Sequence, residues 1–331
     1  METLNSMLYL LSYNSEVTTH ALGVLSSYNL VLWNKLLLIL HLKKKRMFEE
    51  IKQTLGEPFF ECEYGLLYNM DCENALKHLN TPCLASTITS PPYNIGKEYE
   101  DIMPLGDYLS WLSRIARSIE KITLSTGNFL LNVGYLSVRD KGRAVPIPYL
   151  IWDKIPFYLN QEIIWHYEAG IAAKKYLSPR NEKILWYVKD KDCYTFNLDS
   201  IRDPNVKYPN QKKKGKLRCN SIGKNPSDIW EIAKVTSGAN RSSVERTAHP
   251  AQFPEDLIKR LMLGFTNKND LVLDPFMGSG TVGAVAVELK RKFIGFEIEK
   301  RYCEIAKKRI EKKIEECATF FDFVSDEQIC M

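Results

Sequence analysis

Short apolar runs alternate with amphipathic stretches along most of this 331-residue chain. Helical spacing over Phe48–Leu55 stops at Gly56-Glu57-Pro58. Gly65–Met70 reads as a short strand with Asp71 at its end, and Ala75, Leu76 and Leu79 give an apolar face to a helix over Glu73–Leu79. Leu84–Thr89 is a short buried strand. Asp107 stands where it can N-cap a helix through Tyr108, Leu109, Leu112, Ile115, Ala116 and Ile119, a unit closed by Gly127. Further strands are expected over Asn128–Gly134, Glu162–Trp165, Lys183–Val188, Leu271–Asp274 and Phe293–Glu297. Further helices are expected over Pro146–Lys154, from Pro254 as first helical residue, over Val282–Leu289 and over Arg301–Ile314. Strands at this spacing with helices between them predict a doubly wound α/β sheet, with Trp165 and Trp186 in its core.

Composition divides this pattern. Residues 1–46 are rich in Leu, Ser, Tyr and Asn, and their first basic residue is Lys35. A secretory signal carries its positive charge first, so this stretch is not read as one. The apolar run Leu30–His41 is broken by Asn34 and Lys35 and is too short to span a bilayer. It is read as a poorly specified extension. Residues 47–189 then carry the first run of strands and helices, and 190–248 are irregular. Residues 249–331 return to regular structure. The eight cysteines form no Cys-x-x-Cys pair and the five histidines do not cluster with them. A zinc site or disulfide framework is not expected, and reduced thiols in the cytoplasm are.

Net charge is +5, and its distribution matters more than its size. The irregular 190–248 stretch carries Lys212, Lys213, Lys214, Lys216, Arg218 and Lys224 against few acids, with Arg241 and Arg246 beyond. A solvated loop is one reading. A DNA-contacting insert is the other, because the same stretch offers Asn, Gln, Ser and Tyr that can read base edges.

Two stretches carry candidate chemistry. Ser90-Pro91-Pro92-Tyr93 follows the Leu84–Thr89 strand. Two prolines remove N–H groups and force the preceding residues to extended geometry, leaving a stiff segment with unpaired carbonyls beside an aromatic ring. Taken alone, it reads first as a rigid strand-to-loop turn. The second stretch, Asp274-Pro275-Phe276-Met277-Gly278-Ser279-Gly280-Thr281, joins a strand to a small-residue helix. Its glycines allow close backbone approach to a ligand at the helix N-terminus. It lacks the Lys-Ser/Thr of a P-loop and the full dinucleotide fingerprint. Glu297 ends the next strand, where a carboxylate can accept from a ribose diol. An adenosine bearing an amino-acid tail fits this pattern better than a dinucleotide does.

Asp274–Thr281 resembles the S-adenosylmethionine loop of amino-group DNA methyltransferases, and Ser90–Tyr93 resembles their catalytic tetrapeptide. The resemblance covers roughly Gly65 to Ile314. It includes Arg180-Asn181-Glu182-Lys183-Ile184-Leu185-Trp186 and His249-Pro250-Ala251-Gln252-Phe253-Pro254. The order (catalytic segment, basic insert, cofactor loop) resembles the permuted β group of these enzymes. It implies a mostly parallel, seven-stranded, Rossmann-like sheet that is circularly permuted and carries a DNA-recognition insert. It implies that Phe276 and Gly278–Thr281 line the cofactor, that Glu297 binds its ribose and that Asp71 meets its adenine amine. Gln252 is expected near the methionine tail, and Asp274 either orients the turn or reaches the methionine amine. Ser90 and Pro91 would hold the exocyclic amine of a flipped base while Tyr93 stacks on it.

A first-position Ser in this family points to cytosine N4, with adenine N6 the alternative. The implied partners are duplex DNA and, functionally, a cognate restriction endonuclease. The chain would act as monomer or homodimer, with no membrane and no metal. A DNA-binding protein with a vestigial cofactor site is the competing reading from another class. Intact Ser90–Tyr93, the glycine turn and Glu297 speak against it.

Overall fold

A computed structural model of the protein describes residues 46–98, 101–168, 173–236 and 243–329, with side chains as far as residue 319. The expected extension therefore lies, except for Arg46, outside the described residues, as does Arg241. Two compact units are present, Met1–Glu57 and Pro58–Met331. In the first, helix α1 covers residues 46–55.

The second unit is built on one mixed sheet. Its strands are β1 (Phe60–Cys62), β2 (Gly65–Asn69), β3 (Leu84–Thr89), β4 (Thr123–Val133), β7 (Tyr158–His166), β8 (Asn181–Val188), β11 (Ile229–Glu231), β12 (Leu271–Asp274) and β13 (Lys292–Glu297). Two hairpins stand outside it, β5 (Tyr135–Val138) with β6 (Gly142–Pro146), and β9 (Lys212–Lys213) with β10 (Lys216–Leu217). The helices are α2 (Cys72–His78), α3 (Leu105–Ile122), α4 (Pro148–Ile151), α5 (Glu255–Phe265), α6 (Thr281–Glu288) and α7 (Lys300–Ile329).

Strand order is β1-β2-β13-β12-β3-β4-β8-β7-β11. From β2 to β4 all neighbours run parallel, whereas β8 is antiparallel to both β4 and β7. The parallel centre explains the sequence pattern. Every residue of β3 and β12 is buried, so these strands read as continuous apolar or hydroxyl-bearing runs rather than alternating ones. The C-terminal strands β12 and β13 lie between β2 and β3. One consequence places the site: β2, β13, β12, β3 and β4 all end on the same side, side by side.

The sheet has nine strands among the described residues, not the expected seven. The additional β1 and β11 are three residues each, too short for any periodicity to show. Pro104, not Asp107, holds the N-cap position of α3, and Asp107 sits in the first turn. Gly127 does not close a unit. Helix α3 runs straight into β4, and Gly127 lies inside that strand where the pairing with β3 is irregular. Pro146 ends β6, leaving α4 only four residues, and Pro254 caps α5 rather than opening it.

Trp165 and Trp186 are buried as expected. Around Trp186 pack Tyr194, Phe196 and Phe265, with ring centroids 4.7–5.5 Å away. Fully buried Asn128 ties this cluster together. It accepts from Trp186 Nε1 at 2.8 Å and donates to the carbonyls of Thr195 and Phe265 at 3.0 Å each. Among the described residues no helix is long and apolar enough to cross a membrane.

Candidate active site

The convergent strand ends border one cleft of about 370 Å³. It is lined by Asp71 after β2, Ser90–Tyr93 after β3, Asp274–Ser279 after β12 and Glu297 at the end of β13, with Gln252 and Thr281. Every residue expected at the catalytic or cofactor positions borders it except Gly280, which lies behind the turn. Strand ends far apart in sequence, Thr87 beside Leu273 and Asn69 beside Glu297, thus meet because parallel pairing brings them together.

At one end Ser90 begins a directed hydrogen-bond chain. Ser90 Oγ donates to Tyr93 OH at 2.9 Å, and Tyr93 OH donates to Glu182 Oε2 at 2.8 Å. Asn132 Nδ2 donates to both Tyr93 OH (2.7 Å) and Glu182 Oε2 (2.6 Å). Tyr108, on α3, donates from its hydroxyl to the Pro92 carbonyl at 2.9 Å and fixes the proline segment from behind. Burial, and then the neighbouring Glu182 carboxylate, push the Tyr93 phenol well above its ordinary pKa, so it stays protonated. With its hydrogen committed to Tyr93, the Ser90 oxygen keeps lone pairs available as an acceptor. Asn132 Oδ1, on the cleft wall, has no hydrogen-bond partner among the described residues.

At the other end Glu297 accepts from the backbone N–H of Gly278 (2.8 Å) and of Glu299 (2.9 Å). Burial raises its pKa despite these bonds. Asp274 Oδ1 accepts from Thr89 Oγ1 at 2.7 Å and from the Phe276 N–H at 3.1 Å, so Asp274 orients the turn. Gly280 sits at φ 78° ahead of α6. A Cβ there would stand 2.7 Å from Ala306 Cα on α7, which confines this position to glycine. No side chain caps α6, so its first-turn N–H groups are left without that partner. Arg309 donates to Thr281 Oγ1 (2.7 Å), Glu245 Oε2 (2.9 Å) and Glu255 Oε1 (2.9 Å), pinning the turn to the segment before α5.

Burial drives Asp274 up to about 7, with Glu297 adding a smaller like-charge push. The sign follows. Below about pH 4 the folded and unfolded chains both hold this carboxyl neutral, and burial carries no charge penalty. As pH rises toward 7 the unfolded chain ionises first, so stability falls, and the loss is complete above the folded value. Asp274→Asn keeps an oxygen for Thr89 and Phe276 but cannot ionise. Its thermal unfolding should show a shallower decline than wild type between pH 4 and 7; identical pH profiles would refute the shift.

A nucleoside bearing a sulfonium and an amino-acid tail suits this lining. Five carboxyl side chains (Asp71, Glu182, Asp274, Glu297 and Glu299) face two lysines, Lys97 and Lys234. His249, pushed down to about 4 by burial and then by Lys97, is neutral at pH 7 and adds no repulsion toward a cation. Phe276 and Trp111, with ring centroids 5.6 Å apart and planes tilted by 53°, supply aromatic apolar surface to the cleft.

Two of the lining residues also hold hydrogen bonds within their own segments. Gln252 borders the cleft, but its amide is engaged by its own loop. It accepts from Thr247 Oγ1 at 2.8 Å and donates to the Glu245 carbonyl at 2.7 Å. Asp71 caps α2 by accepting from the Asn74 N–H at 2.8 Å, leaving its second oxygen for other partners. Lys212, Lys213, Lys214 and Lys216 stand exposed on the β9–β10 hairpin, turned by Lys214 at φ 51° and Gly215 at φ 78°. Lys224 pairs with Asp203 at 2.9 Å and Arg218 donates to Gln211 Oε1 at 3.1 Å, so these two brace the insert.

Sequence reasoning missed Glu182, Asn132, Tyr108 and Arg309. Glu182 falls in the Arg180–Trp186 stretch that carried part of the resemblance. Only the antiparallel placement of β8 against β4 brings it beside Tyr93.

An open α/β sheet whose parallel strand ends share one acid-lined cleft has the architecture of a nucleoside-dependent enzyme. The N6/N4 methyltransferase family model, described as DNA methylase, matches residues 85–308. The Type II methyltransferase M.ScaI of Streptomyces caespitosus is 50% identical over 291 residues, covering 87% of this chain and 96% of that protein. The DNA adenine methyltransferase YhdJ of Escherichia coli is 31% identical over 261 residues, covering 76% and 84%. Among solved structures, the PvuII DNA methyltransferase (cytosine-N4-specific) shares the fold with a TM-score of 0.60 at 21% identity, covering 78% of this chain and 93% of that one. The M1.HpyAVI–SAM complex matches with a TM-score of 0.50 at 27% identity, covering 74% and 98%. The chain belongs to the DNA methylase family.

Proposed function

We propose that this enzyme is the modification methyltransferase of a restriction system, acting on the N4 amine of cytosine in duplex DNA. One observation carries the reading. A single cleft holds a serine hydroxyl whose hydrogen is given to Tyr93 at one end and the glycine turn with Glu297 at the other. S-adenosylmethionine, when bound, supplies an electrophilic methyl group. Glu297 would hold its ribose hydroxyls, Asp71 its adenine amine, and Phe276 with the Gly278–Thr281 backbone its body.

The chain's own residues act on the amine. Its lone pair is delocalised into the base ring. Accepting its hydrogens at Ser90 Oγ and the Pro91 carbonyl pulls the nitrogen toward a tetrahedral shape and frees that pair. Serine has no useful basicity at neutral pH, so the chain works by positioning, and the proton leaves after methyl transfer, when the nitrogen is strongly acidic. The amine lies inside the duplex, so the base must be flipped out, and the Tyr93 ring is available for stacking.

The first-position Ser90 supports cytosine. The relative named as an adenine methyltransferase keeps adenine N6 as the second reading. Gln252 acts on this reading through the loop it braces. Duplex DNA is the substrate, the β9–β10 hairpin contributes to its recognition, and the enzyme is paired functionally with an endonuclease in the cytoplasm, as monomer or homodimer. The arrangement of β12 and β13 between β2 and β3 is read as the permuted β-group order. Duplex DNA incubated with methyl-labelled cofactor and digested to nucleosides should yield N4-methylcytosine. N6-methyladenine would move the assignment to the second reading, and no labelled nucleoside would end both.

A further inference from the structure

We propose that the β5–β6 hairpin and the neighbouring segment 173–180 form a phosphate-binding edge that grips the DNA backbone beside the target base. This surface is separate from the 212–224 insert and rests on the reading of the enzyme as a DNA methyltransferase. The hairpin grows directly out of β4, the strand that carries Asn132 beside Tyr93. Gly134 links β4 to β5 and packs so closely on Tyr93 that a Cβ there would stand 2.9 Å from the ring. The Ile147 N–H closes the hairpin base on the Gly134 carbonyl at 3.1 Å. Tyr135 donates to Asn181 Oδ1 at 2.8 Å, one residue before the Glu182 that holds Tyr93. Both strands of the base are thus fastened beside the residues expected to meet the flipped base.

From this anchored base the hairpin turns at Asp140, φ 58°, and carries Arg139, Lys141 and Arg143, all exposed. The Arg143 guanidinium lies 5.1 Å from the centre of the Tyr176 ring, joining the hairpin to a segment with exposed Lys174 and Lys175. Asp140 is the sole acid in residues 135–146 and 173–180. Its contact with Arg139, at 3.7 Å between two almost fully exposed side chains, neutralises little. A guanidinium resting over a tyrosine ring uses its face there and keeps its in-plane N–H groups for phosphate oxygens. An enzyme that extracts a base must hold the flanking backbone still while the stack is broken, and cations rooted beside the catalytic residues are placed to do this.

The test is binding of the full chain to a duplex of arbitrary sequence, followed by fluorescence anisotropy across salt concentrations. Each phosphate contact contributes a slope of about −0.9 to log K against log salt. Replacing Arg139, Lys141 and Arg143 together by alanine should make the slope shallower by about 2 to 3. Cofactor affinity and the melting transition should stay at wild-type values. A wild-type slope in the folded triple variant overturns the proposal. Should that variant lose its melting transition, Lys174→Ala with Lys175→Ala reads the same edge and should make the slope shallower by about 1 to 2. No change in that pair would equally overturn it. A wild-type chain that binds and methylates no duplex sinks the methyltransferase reading itself, a result distinct from a wild-type slope in the variants.

Discussion

Ser90→Ala is expected to lower the rate of methyl transfer by about 10² to 10⁴ while leaving cofactor affinity within about twofold of wild type. The alanine removes the Ser90 hydroxyl, an acceptor at the head of the proline segment. It also leaves Tyr93, Asn132 and Glu182 bonded to one another, so the pocket wall stands. Rate should therefore fall at saturating DNA and cofactor, with little change in either KM. Single-turnover transfer of labelled methyl, paired with calorimetric titration of cofactor, separates the two quantities. Near-normal turnover in this variant would remove Ser90 from the reaction.

Glu297→Ala should give the opposite split. Cofactor affinity is expected to fall by about 10² to 10³, since each lost hydrogen bond to an ionised group is worth about 1.5–3 kcal/mol. The chemical step at saturating cofactor should change less. Part of the loss is indirect, because Gly278 and Glu299 lose their acceptor and the turn before α6 loosens. Glu297→Gln isolates that part. Its amide oxygen can still accept from one of those N–H groups, so the turn is partly restored while the charge at the ribose position is not. The measurement is cofactor affinity for wild type and both variants. Equal affinity in all three would show that the carboxylate does not face the ligand.

Much of this was legible in the sequence, for a definable reason. Strands buried on both faces write themselves as short apolar runs, and β3 and β12 were read to the residue. The glycine turn and the two prolines were legible because each imposes a backbone that few other residues accept. What stayed hidden depends on pairing partners. Glu182 and Asn132 look like ordinary strand-end polar residues until β8 is laid antiparallel to β4. The β5–β6 hairpin fell in the unassigned stretch between the strand expected to Gly134 and the helix expected from Pro146, because strands of four and five residues beside an exposed turn have no repeat to detect. Gln252 is hidden in another way, because its place in the sequence says nothing of the bonds its amide makes to Thr247 and Glu245.

Placing β12 and β13 between β2 and β3 also has a temporal consequence. A chain emerging from the ribosome makes β2 and β3 early, yet the strands that join them arrive only after residue 271. At about 5–20 residues per second, the roughly 180 residues from Thr89 to Leu271 take about 10–40 s to synthesise. Throughout that interval the β13-facing side of β2 and the β12-facing side of β3 are unpaired edges, open to wrong partners. The central pairings join segments about 180 and 230 residues apart, a long-range topology that slows closure further. A chain cut short anywhere before β13 lacks the middle of its own sheet, so truncated products of this enzyme should be aggregation-prone rather than partly active.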